Sequence, residues 1–170
     1  MEPGHGASVQ KVMAKRSIAI VGAGNEFRGD DRVGIAILRE LKGLLPAEVK
    51  TMELTGDQST LLELMQEATS LIIVDAVCSS APAGTIFQIN ATEEPFPESF
   101  FSVSTHGIDL ARSIELARAM KQMPELVLIY GIVGKDFSFS TSMSRQVEDS
   151  AEVVKERILT EVTTLIGSEA

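Results

Sequence analysis

Cysteine is nearly absent: Cys78 is the only one in 170 residues. An intramolecular disulfide and a Cys-x-x-Cys metal site are therefore excluded, and a reducing compartment fits. Cations are outnumbered, 15 against 24 acidic residues, for a formal net charge of −9. That balance argues against nucleic-acid phosphates and against an anionic membrane surface as partners. No apolar run approaches the roughly 20 residues that cross a bilayer. Residues 1–16 also lack the apolar core, about 7–15 residues long, of a secretory signal. They read as a polar, mobile leader in which His5 has no role, ahead of one domain over residues 17–167. No repeat, low-complexity tract or linker interrupts that span.

The present features are organised around Ile18-Ala-Ile-Val-Gly22-Ala-Gly24-Asn25-Glu-Phe-Arg-Gly-Asp30-Asp31-Arg32-Val-Gly34. An apolar strand stops at Gly22, and two glycines allow a tight turn because a residue without Cβ takes φ > 0 cheaply. An acidic pair follows, and then a helical period at Val33, Ile37, Leu41 and Leu44. Further strands are expected at Val49–Leu54, Ser70–Asp75, Thr85–Asn90 and Leu126–Val133. Asp57 or Ser59 caps a short helix carrying Leu61, Leu62, Leu64 and Met65. Ser104 and Thr105 cap another with Leu110, Ile114, Ala117 and Met120. The last helix has the clearest period, from Val147 through Ala151, Val154, Ile158 and Val162 to Leu165.

Alternating strands and helices predict an α/β three-layer sandwich: a mostly parallel, twisted five-stranded sheet with helices on both faces. The fourth strand is expected to be an antiparallel edge, because the loop from Ala76 to Gly84 is too short for a parallel crossover. The expected order is 2-1-3-5-4. The chain then reverses direction between strands 1 and 3, and ligands bind at such switch points beyond the strands' carboxyl ends. Between the fourth strand and the third helix, Thr92–Ser104 carries Phe96, Phe100 and Phe101, either packed down or meeting a partner.

Asp31 and Asp75 would face one crevice there, with His106 opening the helix beside it. Two close carboxylates repel, and burial makes each costlier to ionise. A divalent cation bound by both and by an imidazole removes the conflict. Each acid taken separately also fits a cap or a solvated turn, and Asp30 fits a cap at the helix's positive end. Sharper motifs fail. Phe27 stands where a dinucleotide fingerprint needs its third glycine, Gly134-Lys135-Asp136 lacks the phosphate-loop Ser or Thr, and no His-Glu-x-x-His occurs. Cys78, Ser79 or Ser80 with His106 as base gives a hydrolase alternative, without the Gly-x-Ser-x-Gly elbow; Cys78 also fits a small semi-buried residue.

Three ordered motifs resemble those of the hydrogenase maturation endopeptidases. They are Gly22-Ala-Gly24-Asn25 with Asp30-Asp31-Arg32-Val-Gly34, Leu71-Ile-Ile-Val-Asp75-Ala76, and Ser104-Thr-His106-Gly-Ile-Asp-Leu110. The later Gly131-Ile-Val-Gly-Lys135 resembles a fourth family stretch, and the likeness runs from about Ile18 to Val162. Arg32 departs from the small residue usual there, and Thr55-Gly56-Asp57-Gln58 only approximates a family turn linked with substrate choice. The resemblance implies removal of the C-terminal extension from the precursor of a nickel–iron hydrogenase large subunit. Asp31, Asp75 and His106 would hold nickel supplied by that precursor, so no tightly bound cofactor is expected in the free protein. A cytoplasmic monomer is expected. The alternative from another class is a non-catalytic, nickel-sensing chaperone of the same subunit.

Overall fold

Two periods in the sequence, near 2 and near 3.6, sort its apolar residues onto strands and helix faces. The computed structural model describes residues 16–95 and 105–168, and the side chains of 105–109 lie outside the description. The expected leader, apart from Arg16, and the Phe-bearing stretch 96–104 are likewise outside the described residues. The elements are β1 (Ile18–Ala23), α1 (Val33–Leu41), β2 (Lys50–Leu54), α2 (Gln58–Glu67), β3 (Ser70–Val77), β4 (Ile86–Asn90), α3 (Thr105–Ala119), β5 (Leu126–Val133) and α4 (Arg145–Gly167). A single 3-10 turn, Gly29–Arg32, joins β1 to α1.

The sheet order is β2-β1-β3-β5-β4, as expected from the sequence. β1, β2, β3 and β5 are parallel, and β4 pairs antiparallel with β5 at the edge. Alternation along β3 divides its side chains. Leu71, Ile73 and Val77 join Leu61 and Met65 of α2 and Leu110 and Ile114 of α3. Ile72, Val74 and Ala76 join Val33 and Ile37 of α1 and Val147, Val154 and Ile158 of α4. Burying each large aliphatic side chain contributes about 1.5–3 kcal/mol, so the two apolar layers fix which helices lie on which face.

Three expected element boundaries are corrected. Leu44 falls beyond the end of α1 and is 59% exposed, because the chain leaves the helix after Leu41. Met120 likewise follows the end of α3 and is exposed. The third strand does not end at Asp75: it continues to Val77, because Asp75, Ala76 and Val77 pair with Gly131, Ile132 and Val133 of β5.

Gly22 serves a different purpose from the turn expected of it. It lies inside β1, and a Cβ there would stand 2.3 Å from the carbonyl oxygen of Gly34 in α1. A Cβ on Gly34 would in turn stand 2.3 Å from Val74 O and 2.4 Å from Ala23 O. The pair thus lets α1 lie directly on β1 and β3, bringing the segment before α1 against the end of β3. The turn itself falls on Gly24, whose φ of +138° suits glycine.

Candidate functional site

Asp31 sits in the 3-10 turn at the carboxyl end of β1, only 2% exposed. Backbone bonds fix it. Its N–H donates to Arg28 O at 3.0 Å, and its carbonyl accepts from Asn25 N–H at 3.2 Å. Gly24 makes the return possible, since a Cβ there would lie 1.9 Å from Asp31 O. Asp75 comes from the neighbouring strand β3 and is fully buried. The topology therefore brings both expected carboxylates to the switch point between β1 and β3.

Their electrostatics follow from burial. Desolvation, followed by the negative charge of Asp31, pushes the Asp75 carboxyl well above the usual carboxylate range. The Ala76 N–H opposes the shift weakly, yet neither Asp75 oxygen has a hydrogen-bond partner of normal geometry. Buried carboxylates ordinarily accept several hydrogen bonds. Two bare oxygens beside a second carboxylate are the chemistry of a group awaiting a proton or a cation. His106 is the second residue of α3, at its amino end, as expected; its side chain is outside the described residues.

The acidic pair divides its labour. Asp30 is also fully buried, but it is not the expected cap of α1. Its carboxylate accepts from the backbone N–H groups of Lys135 (2.7 Å) and Asp136 (2.9 Å). It also accepts from Ser144, through the N–H at 2.6 Å and the hydroxyl at 2.9 Å. Asp30 thus ties the β5–α4 connection to the segment holding Asp31. Spacing in the sequence carries no trace of this role, because the partners lie 105 to 114 residues away.

Cys78 follows β3 and is partly buried. Burial and then Asp31 push its thiol pKa up, with Arg28 opposing and Asp75 adding to the rise. A thiol held protonated is a poor nucleophile, which weighs against the cysteine-hydrolase alternative. Ser79 and Ser80 are exposed; Ser79 Oγ accepts the Ala81 N–H in a local turn. Arg32 is partly buried, and its Nε has no hydrogen-bond partner. An open cleft lined by Met65, Thr69, Lys121 and Glu125 lies at the opposite end of the sheet and belongs to none of this.

A doubly wound α/β domain with buried carboxylates at its switch point defines the class. The comparisons narrow it. The family model described as hydrogenase maturation protease, HycI, matches residues 35–161, most of the chain. Asp75 and His106 fall inside that span and Asp31 just before it. A putative hydrogenase maturation protease of Methanocaldococcus jannaschii is 27% identical over 159 residues, covering 88% of this chain and 99% of the relative. The hydrogenase maturating endopeptidase HybD of E. coli superposes with a TM-score of 0.76 at 24% identity, covering 88% of this chain and 93% of that one. The [NiFe] hydrogenase maturation protease HybD of Thermococcus kodakarensis gives 0.69 at 22%, covering 87% and 99%. The chain belongs to the hydrogenase maturation protease family, and its class of activity is that of an endopeptidase.

Proposed function

We propose that this endopeptidase removes the C-terminal extension from the nickel-loaded precursor of a nickel–iron hydrogenase large subunit, and that it reads the nickel through Asp31, Asp75 and His106. The observation that carries the reading is the fully buried Asp75 carboxylate, whose oxygens have no hydrogen-bond partner of normal geometry and whose pKa is raised by burial and by Asp31. An uncompensated buried charge is strongly destabilising; a divalent cation offsets the repulsion and satisfies the oxygens together. Two carboxylates and an imidazole suit nickel but bind it less firmly than soft thiolates do. The nickel is cargo of the precursor, so the protease grips it without extracting it, and the free protein carries no tightly bound metal. Burial and Asp31 favour the protonated form of Asp75, so a cation binding there competes with the proton.

This chain's own residues then have distinct tasks. Asp75 and Asp31 hold the cargo and fix the precursor tail over the crevice, while Asp30 keeps the segment bearing Asp31 in place. The reading has a monomer act in the cytoplasm, with no nucleic acid or membrane involved. Among the described residues no helix is long and apolar enough to cross a membrane.

The test is processing of a nickel-loaded large-subunit precursor by Asp31→Asn and His106→Ala, with far-ultraviolet circular dichroism as the check on folding. Loss of cleavage in folded variants is expected. Wild-type rates in either variant overturn the assignment of the nickel ligands. An unchanged precursor mass together with a stable complex of the wild-type protein would point to a chaperone instead.

A further inference from the structure

Phe27 and Phe139 are the two exposed aromatics nearest in sequence to the acid-bearing turn and its tethered loop, and they are stacked on each other. Their ring centroids are 6.4 Å apart and their planes 16° apart. Phe27 is 51% exposed and Phe139 88%. Scattered exposed apolar residues are ordinary, but this pair is held. The Ser140 N–H donates to Phe27 O and the Gly29 N–H to Ser140 O, each at 2.9 Å. Arg28 and Ser140 form a parallel bridge. Asn25 Oδ1 accepts the Phe27 N–H at 3.0 Å, and Arg28 Nε donates to Phe137 O at 3.3 Å. Asp30 pins the same two loops from beneath. The chain therefore fixes two rings in water on a braced ribbon, rather than leaving them on a loose loop.

The ribbon's place gives it an occupant. Phe27 lies four residues before Asp31, and the Arg28 carbonyl accepts the Asp31 N–H at 3.0 Å. The rim is thus joined through the backbone to the turn that carries Asp31, and the partner of an endopeptidase is a polypeptide. We propose that Phe27 and Phe139 form an aromatic rim that receives an apolar side chain of the substrate polypeptide close to the bond to be cut. The proposal rests on the reading of the Asp31–Asp75 crevice as the reaction site. Aromatic anchors give large contact area with little conformational entropy to lose, and such residues dominate interface energetics. An aliphatic, proline or aromatic residue of the precursor tail fits over the exposed ring faces. The metal is read by the carboxylates, and the rim reads the chain that carries it.

The test is steady-state processing of a nickel-loaded large-subunit precursor by the wild type, Phe27→Ala, Phe139→Ala and the double variant. Leu44→Ala serves as a control, because the exposure of Leu44 (59%) lies between those of the two rings but its place is beyond the far end of α1. The rings are exposed, so the urea midpoint should hold. The double variant should raise KM by roughly tenfold or more with kcat within about twofold, the signature of lost uniform binding. Unchanged KM and kcat in the double variant overturn the rim and leave the protease reading standing. If the wild type neither binds nor cuts the precursor, the crevice reading falls and takes the rim with it. Self-association of the wild type that the double variant abolishes, with KM unchanged, makes the rim a contact between two copies of this chain and also overturns the proposal.

Discussion

Ser144 donates twice to Asp30, from its backbone N–H to Oδ1 at 2.6 Å and from its hydroxyl to Oδ2 at 2.9 Å. That pairing spends the Ser144 side chain on a tether and leaves the start of α4 without a side-chain cap. It joins two loops that the chain separates by more than a hundred residues, and one of them carries Asp31. Asp30→Ala removes all four bonds to the buried carboxylate, each contributing about 0.5–1.5 kcal/mol net. The variant should lose at least ~3 kcal/mol by urea unfolding. A loss below ~1 kcal/mol would mean that water replaces the carboxylate and the tether is dispensable.

Asp75 makes the free protein sensitive to pH. Its folded pKa is raised by burial and then by Asp31, whereas an unfolded aspartate titrates near 3.9, about the reference value. Below that value both states are protonated and no penalty exists. As pH rises above it the unfolded state ionises first, so this group lowers stability by up to about 1.4 kcal/mol per pH unit until the folded group also ionises. Asp75→Asn should therefore gain stability relative to the wild type as pH climbs from about 4, while losing the ability to support processing. Paired urea titrations across that range check it; a stability difference that does not change with pH contradicts the assigned shift.

Gly34 and Gly43 should behave oppositely. A Cβ on Gly34 would meet the backbone oxygens of Val74 and Ala23 at 2.3 and 2.4 Å, whereas one on Gly43 would meet nothing within 4 Å. Gly34→Ala should cost about 1–3 kcal/mol or more by forcing α1 off the sheet. Gly43→Ala should be neutral or stabilising by about 0.4–1 kcal/mol through the unfolded chain. Equal midpoints for the two variants would deny the close approach of α1.

Cys78 is expected to be dispensable. Its thiol is raised in pKa by burial and by Asp31, so a thiolate is scarce at neutral pH. Cys78→Ala should process precursor within about twofold of the wild-type rate. Abolished cleavage in a folded variant would revive the cysteine-hydrolase alternative.

The layers of the fold were legible because apolar alternation and helical spacing report burial directly. Leu71 to Val74 is apolar at every position because β3 is covered on both faces, and Val147 to Val162 marks one stripe of α4. The short connection, expected over Ala76–Gly84 and found over residues 78–85, sufficed to make β4 antiparallel. The switch point then followed from the order of strands, and with it the meeting of Asp31 and Asp75. Gly22 was legible as a glycine requirement but not as a packing one, since a turn and a close approach both ask for a missing Cβ. Asp30 was indistinguishable from a helix cap, because three of its four donors are backbone N–H groups, whose residue types are irrelevant, and the fourth, the Ser144 hydroxyl, lies 114 residues away. The stacking of Phe27 on Phe139 was hidden for the same reason: it depends on a loop pairing that only the folded chain creates.

The most direct measurement is the intact mass of a hydrogenase large-subunit precursor, with and without nickel, before and after addition of this protein. The account predicts loss of one C-terminal peptide from the nickel-loaded form and an unchanged mass for the nickel-free form. Equal cleavage of both forms would contradict nickel reading by Asp31, Asp75 and His106. An unchanged mass in both would contradict the proposed reaction on that precursor.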